Sequence, residues 1–449
     1  MINMALSEIA AVVDCPAPDP DVTVEQIVTD SRKVSYGALF AALPGSQTDG
    51  HDFAEPAVQM GAAALLVSRR LEIDVPQLLV DDVLLALGRI AALLRRKLDP
   101  TVVGITGSNG KTTIKEMVYA ILSQDAEVLA TRGNYNNELG LPLSLFCLEP
   151  KHRFAVLEMG ASKAGDIEYL ARIAQPDVAL VSNVGPAHLK GFGDERGVAL
   201  AKGEIYASLP ESGWAVMNTD EPWLPTWKAL STAGNCLTFG FDSASDIRVT
   251  GEAAAPRLQT PAGEMELSLS LPGKHNLMNA AAAAAAALAL GTDLQQIRRG
   301  LESVEPVPGR LQKISNKAGW TVIDDTYNAN PASLYSALQV LADMQGKSWL
   351  VLGDMKELGQ SSRKMHREVG EAARAMGVAR VFTTGEMAAE TADAFGPGAE
   401  HFSQREELIS ALREALQPGV TCLVKGSRSM GMERVVEAIA RETGMKEAC

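Results

Sequence analysis

The chain has 449 residues, with 41 Lys and Arg against 55 Asp and Glu, a formal net charge of -14. That length exceeds one ordinary core, so two or three domains are expected, and the acidic balance disfavours nucleic acid or an anionic membrane as the main partner. A hydrophobic fraction of 46% with 5% aromatic residues fits an Ala/Leu/Val-rich α/β protein.

The opening stretch, MINMALSEIAAVVDCPAPDP, has no basic region and meets acids early, so it does not read as a secretory signal. Cys15, Cys147, Cys236, Cys422 and Cys449 make no CxxC pair or metal spacing, which points to a reduced, cytoplasmic setting. The segment before residue 99 is long enough for a small domain, and VTDSRKV (28–34) and ALPGSQTDGHDFAEPAV (42–58) carry turn residues between short strands.

Residues 102–117, VVGITGSNGKTTIKEM, run from a β-branched strand through a glycine loop into a helix whose Ile114, Met117, Val118, Ile121 and Leu122 share one face. Thr106, Gly107, Ser108, Asn109, Gly110, Lys111, Thr112 and Thr113 form the junction. Glycines there let backbone N–H groups approach an anion, the helix start adds partial positive charge, and Lys111 adds a full one. Thr112 stands where a P-loop hydroxyl meets Mg²⁺, although Ile105 occupies the position of the usual first glycine. A nucleotide phosphate site is the reading that the lysine and threonine favour over a plain connecting turn.

Beyond it FAVLE (154–158), a helix ending near Ala174, and VALVSNV (178–184) alternate as in a mostly parallel, doubly wound sheet. Glu158, His188, Asp194 and Glu195 follow these strands, where a phosphate-bound Mg²⁺ finds ligands. In isolation Glu158 reads equally well as an ordinary strand-end carboxylate and His188 as a structural histidine; their shared position favours function. Lys202 reads by default as a solvated helix lysine. Asn276 and Asn279 fall three apart and read as an N-cap pair leading into the alanine block NAAAAAAAALALG, which suits a close-packed helix better than a lipid span.

VEPVPGRLQ (304–312) is a linker by its prolines and glycine. After it TVIDDTY (321–327), SWLVLGD (348–354), RVFTTG (380–385) and TCLVKGS (421–427) make a second doubly wound unit. Two such sheets in one chain suggest chemistry across a domain cleft. Neither LLVDD (78–82) nor VIDD (322–325) is well placed as the aspartate of a P-loop NTPase, and SNKAG (315–319) lacks the Asp of a guanine-reading motif.

With TGSNGKTT, LEMG, NVGPAHL, AKGE, HNLMN, PGR, DDTYNANP, GDMKELG and VKGSRSM in this order, the chain resembles the Mur ligase family over essentially its whole length. DDTYNANPAS (324–333), GDMKELG (353–359) and DSR with PGSQTDGHDF resemble most closely the members that add D-alanyl-D-alanine. The resemblance implies an ATP- and Mg²⁺-dependent amide ligase that joins this dipeptide to the terminal carboxylate of UDP-N-acetylmuramoyl-tripeptide through an acyl phosphate. It also implies three α/β domains: 1–98 for the UDP-linked substrate, 99–309 with the P-loop sheet, and 310–449, Rossmann-like. The partners are then small molecules, and a monomer is expected.

The same resemblance implies roles by position. Lys111 binds the β- and γ-phosphates, Thr112 and Glu158 one Mg²⁺, and His188 a second; Lys202 matches a lysine that family members carbamylate to create another ligand. Asn276 and Asn279 fall on the adenine and ribose side, while Arg310 and Asp325 reach ATP from the linker and the third domain. Asp30, Ser31 and Arg32 resemble the uridine-diphosphate end. Asn134, Asn136 and Asn137 lie in a muramoyl-substrate loop, TRGNYNNELGLP (131–142). Tyr327, Asn328, Asn330, Lys425, Ser427 and Arg428 lie near the incoming dipeptide. The alternatives are a diamino-acid-adding relative, whose DNPR signature is absent, a folylpolyglutamate-like ligase, whose P-loop starts nearer the N-terminus, and a nucleotide-dependent binding module without ligase activity.

Overall fold

The computed structural model describes residues 3–45, 48–186, 188–252 and 255–440. Ser46 and Gln47 of PGSQTDGHDF, Ala187 of NVGPAHL and Cys449 lie outside the described residues. Among the described residues three large sheets organise the chain, beside a two-stranded antiparallel pair, Met4–Ala5 with Thr23–Val24. The first is four-stranded and parallel, from Gln26–Val28 through Ala38–Ala41 and Ala62–Val67 to Gln77–Leu79. Its exit helix, Val83–Leu98, starts on an Asp82 cap and buries Leu87, Ile90 and Ala91 in a core shared with Ile167, Leu170 and Ile173 of the helix Asp166–Ala174. The N-terminal unit is therefore seated on the central one by apolar packing.

The central sheet has nine strands. Thr101–Thr106 lies between His152–Glu158 and Val178–Val181, all parallel, and the strands continue through Trp214–Asn218 and Asn235–Gly240. An extension without counterpart in the sequence reading finishes one edge: Ile247–Glu252 lies parallel to Asn235–Gly240, and Ala255–Thr260 and Gly263–Glu266 follow antiparallel. The helix Lys111–Leu122 buries Ile114, Met117, Val118, Ile121 and Leu122, the five expected positions. Against it lies Lys274–Ala289, whose Ala280 to Ala287 are all buried. Small side chains let the two helices approach closely, which brings the start of the alanine helix to the phosphate loop.

The third sheet has six strands in the order Gln312–Ser315, Thr321–Asp325, Val420–Lys425, Lys347–Gly353, Arg380–Thr384, Ala399–Phe402; only the first pairs antiparallel. All four strands expected after the linker are present, and the two edge strands are additions. Among the described residues no helix is long and apolar enough to cross a membrane.

Beneath the central sheet, the buried Tyr206 on helix Glu195–Ala207 donates its hydroxyl to Val216 O at 2.7 Å and accepts from Val181 N at 3.0 Å, tying two neighbouring strands. Tyr206→Phe leaves both backbone groups without that partner, so it is expected to cost about 1–3 kcal/mol, read as a lower midpoint in thermal unfolding with the far-UV circular dichroism spectrum unchanged before the transition.

Candidate active site

Strand Thr101–Thr106 delivers its chain to a loop where Gly107 has φ 146° and Gly110 φ 82°, the latter opening helix Lys111–Leu122. A Cβ on Gly107 would come within 1.8 Å of Ser182 Oγ, and one on Gly110 within 2.5 Å of Asn279 Oδ1. These glycines are required by close approach as well as by dihedral. The loop is clamped by the next strand's end: Ser182 Oγ donates to Asn109 O at 2.6 Å, Asn183 Nδ2 donates to the same oxygen at 3.1 Å, and Asn109 N donates back to Asn183 Oδ1 at 3.0 Å. Ser182 and Asn183 were not singled out from sequence; the SN within VALVSNV is the only trace.

Lys111 folds over the loop, its Nζ donating to Gly107 O at 2.8 Å. Burial draws its pKa down, Glu158 opposes that, and Arg310 adds to it. Thr112 Oγ1 donates to Glu158 Oε2 and accepts from Arg310 Nη2, both at 2.8 Å, and Asn136 Nδ2 donates to Glu158 Oε1 at 2.7 Å. Glu158 is thus a buried carboxylate beside the phosphate loop, not a solvent-exposed strand end. Arg310 also covers the Tyr327 ring at 4.1 Å, and its Nε is buried without a partner.

Lys202 overturns its default reading. It is 3% exposed on helix Glu195–Ala207 and lines the cleft; burial, with Lys111 nearby, pulls its pKa well below the ordinary lysine value. The N-cap reading of Asn276 and Asn279 is likewise corrected. Gly273 precedes the helix, and both asparagines are buried within it, with Asn276 Nδ2 donating to Pro272 O at 2.7 Å and Asn279 Nδ2 to Asn276 Oδ1 at 3.1 Å. Asp194 instead caps a helix, accepting from Gly197 N at 2.8 Å, and Glu195 is exposed.

From the C-terminal sheet, Asp325 and Lys425 form a buried ion pair at adjacent strand ends, and Lys425 Nζ also donates to Asn328 O at 3.0 Å. Burial pushes the Asp325 carboxyl up and Lys425 works against it. Asn330 caps helix Pro331–Ala342 through Ser333 N and donates Nδ2 to Asn109 Oδ1 at 2.8 Å. The phosphate loop, apart from Thr106 and Thr112, lines one cleft of about 760 Å³ with Glu158, His188, Lys202, Asn136, Asn137, Asn276, Asn279, Arg310, Asp325, Tyr327, Asn328, Asn330 and Lys425. The cleft also takes in His275, lowered by burial to about 4, and Glu221, raised by burial to about 7, which sequence reasoning did not assign.

Other expected residues lie elsewhere. Asp30, Ser31 and Arg32 form a turn on the N-terminal unit, where the guanidinium of Arg32 holds the Asp30 carboxyl down at about 2. Neither this turn nor Asn134, Ser427 or Arg428 lines the cleft. Thr106 Oγ1 is buried and unpartnered, and Thr113 lines the cleft.

The donor set suits a hard cation held partly by phosphate. Among the described residues no three His, Cys, Asp or Glu side chains converge on one point. A hydroxyl and a carboxylate beside a phosphate loop are nevertheless oxygen donors of the kind that magnesium takes when a nucleotide supplies the rest, and the imidazole is a softer donor beside them.

Matches to known proteins agree with this layout. The Mur ligase middle domain matches residues 105–287, the Mur ligase glutamate ligase domain residues 309–428, and the Mur ligase family catalytic domain residues 23–95. The chain belongs to the Mur ligase family. Among Mur ligases, the UDP-N-acetylmuramoyl-tripeptide--D-alanyl-D-alanine ligase of Escherichia coli (strain K12) is 44% identical over 98% of this chain and 99% of its own. A crystal structure of MurF from Acinetobacter baumannii superposes with a TM-score of 0.90 at 33% identity, over 98% of this chain and 100% of its own. MurF ligase from Thermotoga maritima, solved with ADP, gives a TM-score of 0.83 at 32% identity, over 93% and 97% of the two chains. This chain is accordingly a ligase of three-domain α/β architecture that uses a nucleotide.

Two outcomes are expected for this Mur ligase site. Gly107→Ala should abolish nucleotide binding in calorimetric titration while the fold survives, because the phosphate loop cannot keep its path against Ser182. Lys202→Met should raise the thermal midpoint at neutral pH and remove turnover. Burial disfavours the charged form of the unmodified wild-type lysine, so its destabilising effect is full below its folded pKa and disappears as pH rises toward the unfolded value. The stability gap between variant and wild type should therefore narrow in alkaline buffer.

Proposed function

We propose that this ligase joins D-alanyl-D-alanine to the terminal carboxylate of UDP-N-acetylmuramoyl-tripeptide, with ATP as the activating substrate, giving UDP-N-acetylmuramoyl-pentapeptide for peptidoglycan synthesis. The observation that carries this reading is the shared cleft. A phosphate loop from one sheet faces the Asp325, Asn328 and Lys425 strand ends of another. Full-length similarity to ligases named for this reaction supports the substrates.

A carboxylate is a poor acyl donor, so the tripeptide carboxylate attacks the γ-phosphate, giving an acyl phosphate and ADP. The dipeptide amine then attacks the acyl carbon, losing a proton, and phosphate leaves. Phosphoryl transfer asks for alignment and charge neutralisation rather than a covalent catalyst. Lys111 and Arg310 supply positive charge at the phosphate loop, and the start of helix Lys111–Leu122 offers backbone N–H groups to a bound phosphate. Asn276 and Asn279 stand beside Gly110 for the nucleoside. Thr112 and Glu158, with His188 and a carbamylated Lys202, are the residues to hold Mg²⁺, which when bound adds charge neutralisation at the phosphates. Asn136 and Asn137 belong to the side that takes the muramoyl substrate, Tyr327, Asn328 and Lys425 to the side that takes the dipeptide. Asp30, Ser31 and Arg32 hold the uridine-diphosphate end on the N-terminal unit. Asn134, Ser427 and Arg428 do not line the cleft, and Ser427 supports the loop at Lys356 from within the C-terminal unit. Closure of the C-terminal unit keeps water from the acyl phosphate. Small-molecule substrates and free Cys15, Cys147, Cys236 and Cys422 fit a monomer working in the cytoplasm.

Phosphate release from Mg-ATP with UDP-N-acetylmuramoyl-tripeptide should depend on D-alanyl-D-alanine and yield the pentapeptide by mass; release indifferent to the dipeptide, with no pentapeptide, overturns the reading. Lys111→Ala should lower turnover by about 10²–10³-fold, the loss typical of a transition-state charge donor.

A further inference from the structure

His188 reaches the cleft from a backbone at φ 53°, and its Nδ1 lies 2.6 Å from Oε2 of Glu357, which stands at φ 65° on the C-terminal unit. Both partners in this contact between units are non-glycine residues in the left-handed region, a conformation that persists only where surroundings enforce it.

The surroundings of Glu357 do enforce it. Asp354 Oδ1 accepts from Met387 N at 3.0 Å and Ala388 N at 2.8 Å, Met355 N donates to the buried His366 Nε2 at 3.0 Å, and Lys356 N donates to Ser427 Oγ at 2.8 Å. Met355 and Leu358 are buried on either side. The loop GDMKELG is thus pinned up to Glu357 and turns that one carboxylate outward to His188.

Glu357 does not line the cleft, whereas His188 does. With Nδ1–H donated to a carboxylate, the imidazole is fixed as the tautomer whose Nε2 lone pair is free, the arrangement by which a carboxylate orients a metal-binding histidine. We propose that Glu357 is a positioning residue which, across the boundary between the units, holds His188 with Nε2 available to a divalent cation in the nucleotide cleft. The inference rests on the reading of His188 as a cation ligand. Its consequence is that the second cation position is complete only while the C-terminal unit is docked, so cation binding and closure favour each other.

The test is Mn²⁺ binding, followed by electron paramagnetic resonance on the full chain with a non-hydrolysable ATP analogue. Wild type is expected to take two Mn²⁺ ions. Glu357→Ala should weaken the second by about 10-fold or more, the usual effect of losing such an orienting partner, and Glu357→Gln, which keeps an acceptor, by less. The double variant Glu357→Ala/His188→Ala should bind no more weakly than His188→Ala alone, because both changes act on one imidazole. Unchanged affinity in Glu357→Ala, a single Mn²⁺ in wild type, or losses that add in the double variant would each overturn the assignment. Dipeptide-dependent pentapeptide formation by wild type, measured in parallel, separates this from the ligase reading: coupling without ligation removes that reading alone, and ligation without coupling removes this one.

Discussion

One hydroxyl joins the three parts on which the cleft depends. Thr112 Oγ1 donates a hydrogen bond to Glu158 and accepts one from Arg310, so the helix after the phosphate loop, the neighbouring strand and the linker to the C-terminal unit meet at a single oxygen. A hydroxyl can donate once and accept at the same time, and here both capacities are used by charged groups. Asn136 then holds the other oxygen of Glu158, which extends the network to the loop at 131–142. The phosphate-loop helix, the strand end at Glu158 and the linker at Arg310 are placed relative to one another through this point.

The cost of the arrangement is an excess of buried positive charge. Lys111 and Lys202 are both depressed by burial, and each appears among the groups that disfavour protonation of His188. In a chain of net charge -14 this local polarity is opposite to the whole. A polyphosphate relieves it on binding, which is why a globally acidic protein can still gather a highly anionic nucleotide.

Much of the fold was legible because periodicity reports local structure. The buried face Ile114, Met117, Val118, Ile121 and Leu122, and the apolar runs ending in Glu158, Asp325 and Lys425, all carry their signal in adjacent letters. The extension at 247–266 was missed because its strands carry few apolar residues, APRLQT burying only Leu258 and Thr260 and GEME only Met265. Lys202 was misjudged for a different reason. Whether a helical lysine meets solvent depends on what packs over it, and that is set by chain far away. The contacts of Asn109 with Asn183 and Asn330 join residues 74 and 221 positions apart, and no pattern within either segment announces them.

Asn330 shows how such distant pairings acquire meaning. Its Oδ1 accepts from Ser333 N, completing the cap of helix Pro331–Ala342, and the same amide turns its Nδ2 to Asn109 Oδ1 in the phosphate loop. A cap fixes the side chain's rotamer, so the donor is aimed before the units meet. Aspartate or serine would cap the helix as well, yet neither, in its usual state, offers an amide donor beside an occupied acceptor. The same logic places Glu357 on a pinned loop and Arg310 over the Tyr327 ring. Groups reaching across the boundary are held rigidly by their own unit, so docking aligns them with little further loss of side-chain freedom. Rigid presentation from both sides makes a cleft between two sheets suitable for a reaction whose intermediate cannot meet water.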